Sequence, residues 1–130
     1  MAEAEVDLQS TVHGESTYTH EEAYQAALEY FMGDELAARV WVNKYALKDS
    51  SGYLYEKTPD DMHWRLAREI GRIERKYANP KSEGELYELF RYFKYIVPQG
   101  SPMAGIGNPH QVASLSNCFV IGNEGPSDSY

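Results

Sequence analysis

The sequence predicts a mainly α-helical domain followed by a Gly/Pro loop and one strand. Four segments repeat apolar residues at helical spacing, and each opens on a residue type that caps helix starts. The joins between them are short and turn-rich, as in small helical domains. One late run, Leu115 to Ile121, has the compact, apolar, partly β-branched character of a buried strand. A chain of 130 residues fits about one domain with one modest core.

The first helix is placed after Thr19. Thr19 and Glu22 form a capping box, in which each side chain meets a free amide of the first turn. Tyr24, Leu28 and Phe31 supply its apolar face, and Gly33 is the expected stop. Asp34 caps a second helix running to about Leu47, with Leu36, Val40 and Leu47 on one side and Trp41 and Tyr45 on a neighbouring stripe. Asp49, Ser50, Ser51 and Gly52 then favour a reversal, and Tyr53 to Tyr55 read as a short extended edge. The third helix has Thr58 as N-cap, Pro59 as first residue, and Asp60 and Asp61 where the helix dipole favours negative charge. Met62, Leu66, Ile70, Ile73 and Tyr77 form its apolar stripe, and Asn79-Pro80 ends it. Arg65, Arg68, Arg72, Arg75 and Lys76 decorate the rest; Glu69 and Glu74 interrupt them, so this side reads as a solvated face. Ser82 and Glu85 box the fourth helix, whose buried side is Leu86, Leu89, Phe90 and Phe93, with Pro98 as the stop. Residues 99–111, with three Gly and two Pro, read as an irregular loop. The strand after it has no partner strand in its own sequence, so its amides and carbonyls need a sheet from elsewhere.

Composition narrows the function. The formal charge of -8 disfavours nonspecific binding to nucleic acid or to an anionic membrane. Residues 1–17 read as a flexible acidic leader without the basic and apolar stretches of a signal peptide, and no window approaches a membrane span, so the expected compartment is the cytoplasm. The four histidines, His13, His20, His63 and His110, are scattered without ligand spacing, so no metal site is expected; His20 and His63 read as solvated. Gly105 and Gly107 belong to no phosphate-binding fingerprint. The lone Cys118 cannot form an internal disulfide, and by itself reads as a small buried hydrophobe.

Three blocks in order carry a further signal. They are GDELAARVWVNKYAL at 33–47, EKTPDDMHWRLAREIGRIE at 56–74, and FKYIVPQGSPMAGIGNPHQVASLSNCFVIGNEGPSDSY at 93–130. Together they resemble the N-terminal segment of adenosylcobalamin-dependent (class II) ribonucleotide reductases. The resemblance implies a helical N-terminal domain over 18–97, and over 98–130 the start of the catalytic barrel: a substrate loop and the first strand of a ten-stranded α/β barrel.

The same resemblance implies the chemistry. A cysteine thiyl radical opens ribonucleotide reduction at C3′ of the ribose, and a separate thiol pair supplies the electrons and closes to a disulfide. Cys118, in Ser116-Asn117-Cys118, takes the place of the first thiol of that pair. Ser101, Ser116, Asn117 and Cys118 are the implied substrate contacts. The second redox thiol, the radical cysteine and the adenosylcobalamin surface are expected outside this sequence, so the isolated chain is expected to be inactive. The implied partners are a ribonucleotide, the remainder of the reductase if separately encoded, and a thioredoxin-type reductant. The alternative is a non-catalytic helical module whose aromatics dock a partner protein.

Overall fold

A computed structural model describes residues 16–116 and 118. Five α-helices occur among them: α1 (His20–Tyr30), α2 (Glu35–Lys44), α3 (Pro59–Glu74), α4 (Glu83–Phe90) and α5 (Gly100–Gly105). A 3-10 turn, Arg91–Phe93, follows α4. The chain divides into two compact units between Met62 and His63, within the continuous helix α3.

In the first unit the caps fall where the side-chain chemistry puts them. The Glu22 amide donates to Thr19 Oγ1 at 3.2 Å, and the Thr19 amide donates to Glu22 Oε2 at 2.8 Å. The Ala37 amide donates to Asp34 Oδ1 at 2.9 Å, opening α2. Helices α1 and α2 pack together. Their buried residues are Ala23 and Ala27 on α1 and Ala38, Trp41 and Val42 on α2. The expected faces are therefore rotated. Tyr24, Leu28 and Phe31 are half-buried, and Leu36 is 71% exposed. Alanines let two backbones approach closely, so they take the seam while larger side chains line its margins.

The end of α1 is a Schellman motif. The Gly33 amide donates to the Leu28 carbonyl at 2.8 Å and the Met32 amide to the Glu29 carbonyl at 3.0 Å. Met32, at φ 53°, holds the left-handed position expected of Gly33, which follows it at φ 90°. Helix α2 stops at Lys44 rather than Leu47. The Leu47 amide turns away to the buried Glu56 carboxylate at 2.9 Å. Lys48 Nζ donates to the Val42 and Asn43 carbonyls, at 3.2 and 2.6 Å, supplying donors and positive charge at the helix end. The reversal forms as expected: Asp49 Oδ1 accepts from the Ser51 and Tyr53 amides. The extended edge is realised as isolated antiparallel bridges from Leu54 to Tyr18 and to Lys48.

Pro59 begins α3, and Asp61 accepts from the amides of Lys57 and Thr58 ahead of it. The helix ends at Glu74, and Ile73 and Tyr77 are exposed, so the apolar stripe is buried only through its earlier part.

In the second unit the core includes Leu66, Ala67, Leu86 and Phe90. Ser82 and Glu85 form the capping box that opens α4. At Gly71 a Cβ would stand 3.0 Å from Glu83 Cγ, so α3 and α4 pass closely there. Trp64 stacks on Tyr87 with ring centroids 4.1 Å apart. His63 corrects the sequence expectation: it is fully buried, edge-on to Phe93 at 4.6 Å and parallel to Phe90 at 6.3 Å. Its ring does the packing work of an aromatic side chain. Arg65 is a second correction, being 5% exposed rather than solvated.

The segment expected to be an irregular loop contains α5. Pro102 sits in its first turn, where a missing N–H costs no helical bond. The expected buried strand is not formed at its described residues. Leu115, Ser116 and Cys118 have no regular structure and are exposed, while Asn117 and residues 119–121 lie outside the described residues. A strand's backbone groups need a neighbouring strand, and the described residues contain no sheet to supply one.

Two measurements test these local assignments. Met32→Gly removes a non-glycine left-handed residue from a site 94% exposed, so little burial is lost. Its denaturation midpoint should rise, by about 1 kcal/mol of stability, with the slope unchanged. Glu22 and Glu85 titrate below their ordinary value of 4.5, chiefly because the Thr19 and Ser82 backbone amides bind the charged form. A lowered folded-state pKa stabilises above the unfolded value and is lost as pH falls through the folded one. Thermal stability should therefore hold from neutrality down to about pH 4.5 and fall below it, and Glu22→Gln with Glu85→Gln should flatten that fall.

Candidate functional site

Ser101 is the second residue of α5 and is half-buried. Ser116 and Cys118 lie on the non-regular chain that follows, both exposed; the Ser116 amide donates to Ser114 Oγ at 3.2 Å. Asn117 lies outside the described residues. The link between the two groups is Gly105, at the end of α5. A Cβ there would stand 3.1 Å from both Ala113 Cβ and Leu115 Cδ2, so the approach to Ser116 lies close against the helix at a glycine. One end of α5 thus carries Ser101 and the other receives the chain leading to Cys118.

A six-residue helix is too short to stand on its own hydrogen bonds. Its final carbonyls are the critical groups, because they have no partner within the helix. Each is met. The Pro102 carbonyl accepts from the Ile106 amide at 3.0 Å. The Ala104 carbonyl accepts from Asn108 Nδ2 at 3.2 Å, and the Gly105 carbonyl from the Asn108 amide at 3.2 Å. The Met103 carbonyl accepts from Arg65 Nη2 at 2.7 Å, and the Ile106 carbonyl accepts from Arg65 Nη1. A guanidinium suits this place because its charge opposes the negative end of the helix dipole and its planar fork meets two acceptors at once.

Gly107 completes the junction. It stands at φ 70°, and a Cβ on it would lie 3.0 Å from Arg65 Cγ and 3.5 Å from the Arg65 carbonyl. Both the conformation and the space call for glycine. Arg65 was missed by sequence reasoning because it flanks Leu66 at the margin of the apolar stripe, among four other basic residues. The glycines at 105 and 107 were the available signal, since closely spaced glycines mark a backbone pressed against something.

An open groove elsewhere, lined by Gln25, Ala26, Leu28, Glu29, Met32 and Gly33, contains none of the candidate residues. Among the described residues no group of three or more His, Cys, Asp and Glu could hold a metal ion. No helix among them is long and apolar enough to cross a membrane.

The family model described as the ribonucleotide reductase all-alpha domain matches residues 31–111. The matched stretch includes α2 to α5, with Arg65 and Ser101, and stops short of Ser116 and Cys118. No curated protein and no solved structure matches the chain significantly.

Proposed function

Because the chain belongs to the ribonucleotide reductase all-alpha domain family, as an N-terminal segment of such an enzyme, we propose that it serves the class II, adenosylcobalamin-dependent reaction. The observation that carries the proposal is the position of an exposed thiol, Cys118, just beyond the matched domain. It sits in a Ser116-Asn117-Cys118 context, on chain that approaches from the end of the helix bearing Ser101.

In this reading a thiyl radical on a cysteine supplied by the rest of the enzyme removes the C3′ hydrogen of a bound ribonucleotide. Cys118 then gives its proton to the departing 2′-hydroxyl, which leaves as water. Cys118 and a second thiol together supply two electrons and become a disulfide, and the C3′ hydrogen is returned. The sum is one ribonucleotide and two thiols giving one deoxyribonucleotide, one water and one disulfide. A thioredoxin-type reductant then restores the thiols by exchange. Ser101, Ser116 and Asn117 hold the ribose and phosphate beside the sulfur. Adenosylcobalamin supplies the initiating radical when bound. In this reading the cofactor is held by the remainder of the reductase. The cytoplasm, where thiols stay reduced, is the compartment proposed for this chemistry.

One observation favours the second reading, a helical interaction module. Tyr92, Tyr95 and Val97 are each more than 60% exposed on one short stretch after α4. The two readings separate at the sulfur. In the reductase assembled from this chain and its remainder, Cys118→Ser should lower deoxynucleotide formation by at least about 100-fold, the lower range for a lost proton donor. The isolated chain with nucleotide, adenosylcobalamin and dithiol should give no product. Full activity of the serine variant would favour the interaction module.

A further inference from the structure

We propose that Arg65 is the positioning residue of the substrate segment, setting where α5 presents Ser101 and where the chain to Cys118 begins. This rests on the substrate role given to Ser101 above.

The guanidinium is the long-range partner that the end of α5 has among its carbonyl contacts. The Asn108 bonds and the Ile106 amide bond are local to the segment, within a few residues of their acceptors. The two bonds from Arg65 cross 38 and 41 positions of sequence, to Met103 and Ile106. They therefore fix the segment to α3, while the local bonds fix only its shape. The stem of Arg65 contributes as well, because Gly107 lies directly against its Cγ. Arg65 is held in turn by its 5% exposure on a helix of sixteen residues. A rigid helix thus holds one end of α5, and the opposite end carries Ser101. Gly105 transmits the same placement to Ala113 and Leu115, on the approach to Ser116 and Cys118. Lysine is a poor substitute, since a single ammonium lacks the planar fork that meets both carbonyls.

Amide hydrogen exchange on the 130-residue chain tests the clamp. The amides of Met103, Ile106 and Asn108 report on α5, and those of Phe31 and Tyr45 are internal references in the first unit. Arg65→Ala should speed exchange at the first three by at least about 100-fold, as expected for two lost charge-assisted bonds, and leave the references unchanged. Added ethylguanidinium should restore protection, and Arg65→Lys should restore it only in part. Gly107→Ala keeps the guanidinium but crowds the junction, so it should loosen the same three amides. Equal acceleration everywhere, no change at α5, or no effect of Gly107→Ala would overturn the clamp.

Kinetics of the assembled reductase test the positioning role. Arg65→Lys should raise KM for the ribonucleotide with kcat nearly unchanged, and Ser101→Ala should do likewise. If Ser101→Ala raises KM and Arg65→Lys does not, the positioning role of Arg65 fails. If neither variant moves KM, the substrate reading of Ser101 fails instead.

Discussion

The attachment of α5 to α3 rests on hydrogen bonds from one buried guanidinium. Helix α5 is six residues long, and such a helix has more unsatisfied end groups than internal bonds. Left to itself the segment would favour the irregular loop that its glycines and prolines predict. Arg65 changes that balance by meeting the Met103 and Ile106 carbonyls with a charge of the right sign. Burying an arginine is costly unless its donors are used, and the carbonyls at a helix end are well suited to use them. The arrangement is reciprocal: α5 gives Arg65 acceptors, and Arg65 gives α5 an end.

The first unit solves the same problem with lysine. Lys48 Nζ donates to the Val42 and Asn43 carbonyls at the end of α2, and its burial pushes the amine below its ordinary value. The two cases differ in what they hold. Lys48 lies shortly after the helix it caps and closes a local turn. Arg65 lies on another helix and ties a distant segment to it. A local cap shapes a chain end; a distant one places it. Placement is what the substrate role proposed for Ser101 would require, because catalytic geometry tolerates errors of well under an ångström. The family match covers the tie itself, α3 and α5 both lying within residues 31–111.

The helix starts were legible because a capping box is local chemistry. Thr19 with Glu22 and Ser82 with Glu85 form as their spacing requires, as does the start at Pro59. Burial was less legible. Apolar spacing identifies the stripes on a helix but not which one receives a neighbour, and on α2 the alanine-bearing stripe took the seam while Leu36 faced out. His63 and Arg65 were hidden for a related reason. Their polar atoms suggested water, and what buries them comes from residues far along the chain, Phe90 and Phe93 for one and Met103 and Ile106 for the other. The resemblance to the reductase family was legible at the level of the all-alpha domain over residues 31–111, since long ordered blocks carry information that single positions do not. The strand was expected from local composition and its barrel from the resemblance; at its described residues it is not formed, as befits a strand whose partners were expected from elsewhere.

The most direct test is nitrogen-detected NMR of the arginine side chains in the 130-residue chain. A guanidinium held in two hydrogen bonds cannot rotate freely and exchanges its protons slowly. The account predicts that Arg65, unlike Arg68 on the same helix, shows two distinct, slowly exchanging Nη signals, with couplings to the Met103 and Ile106 carbonyl carbons. A single averaged signal for Arg65, exchanging as fast as that of Arg68, would contradict it.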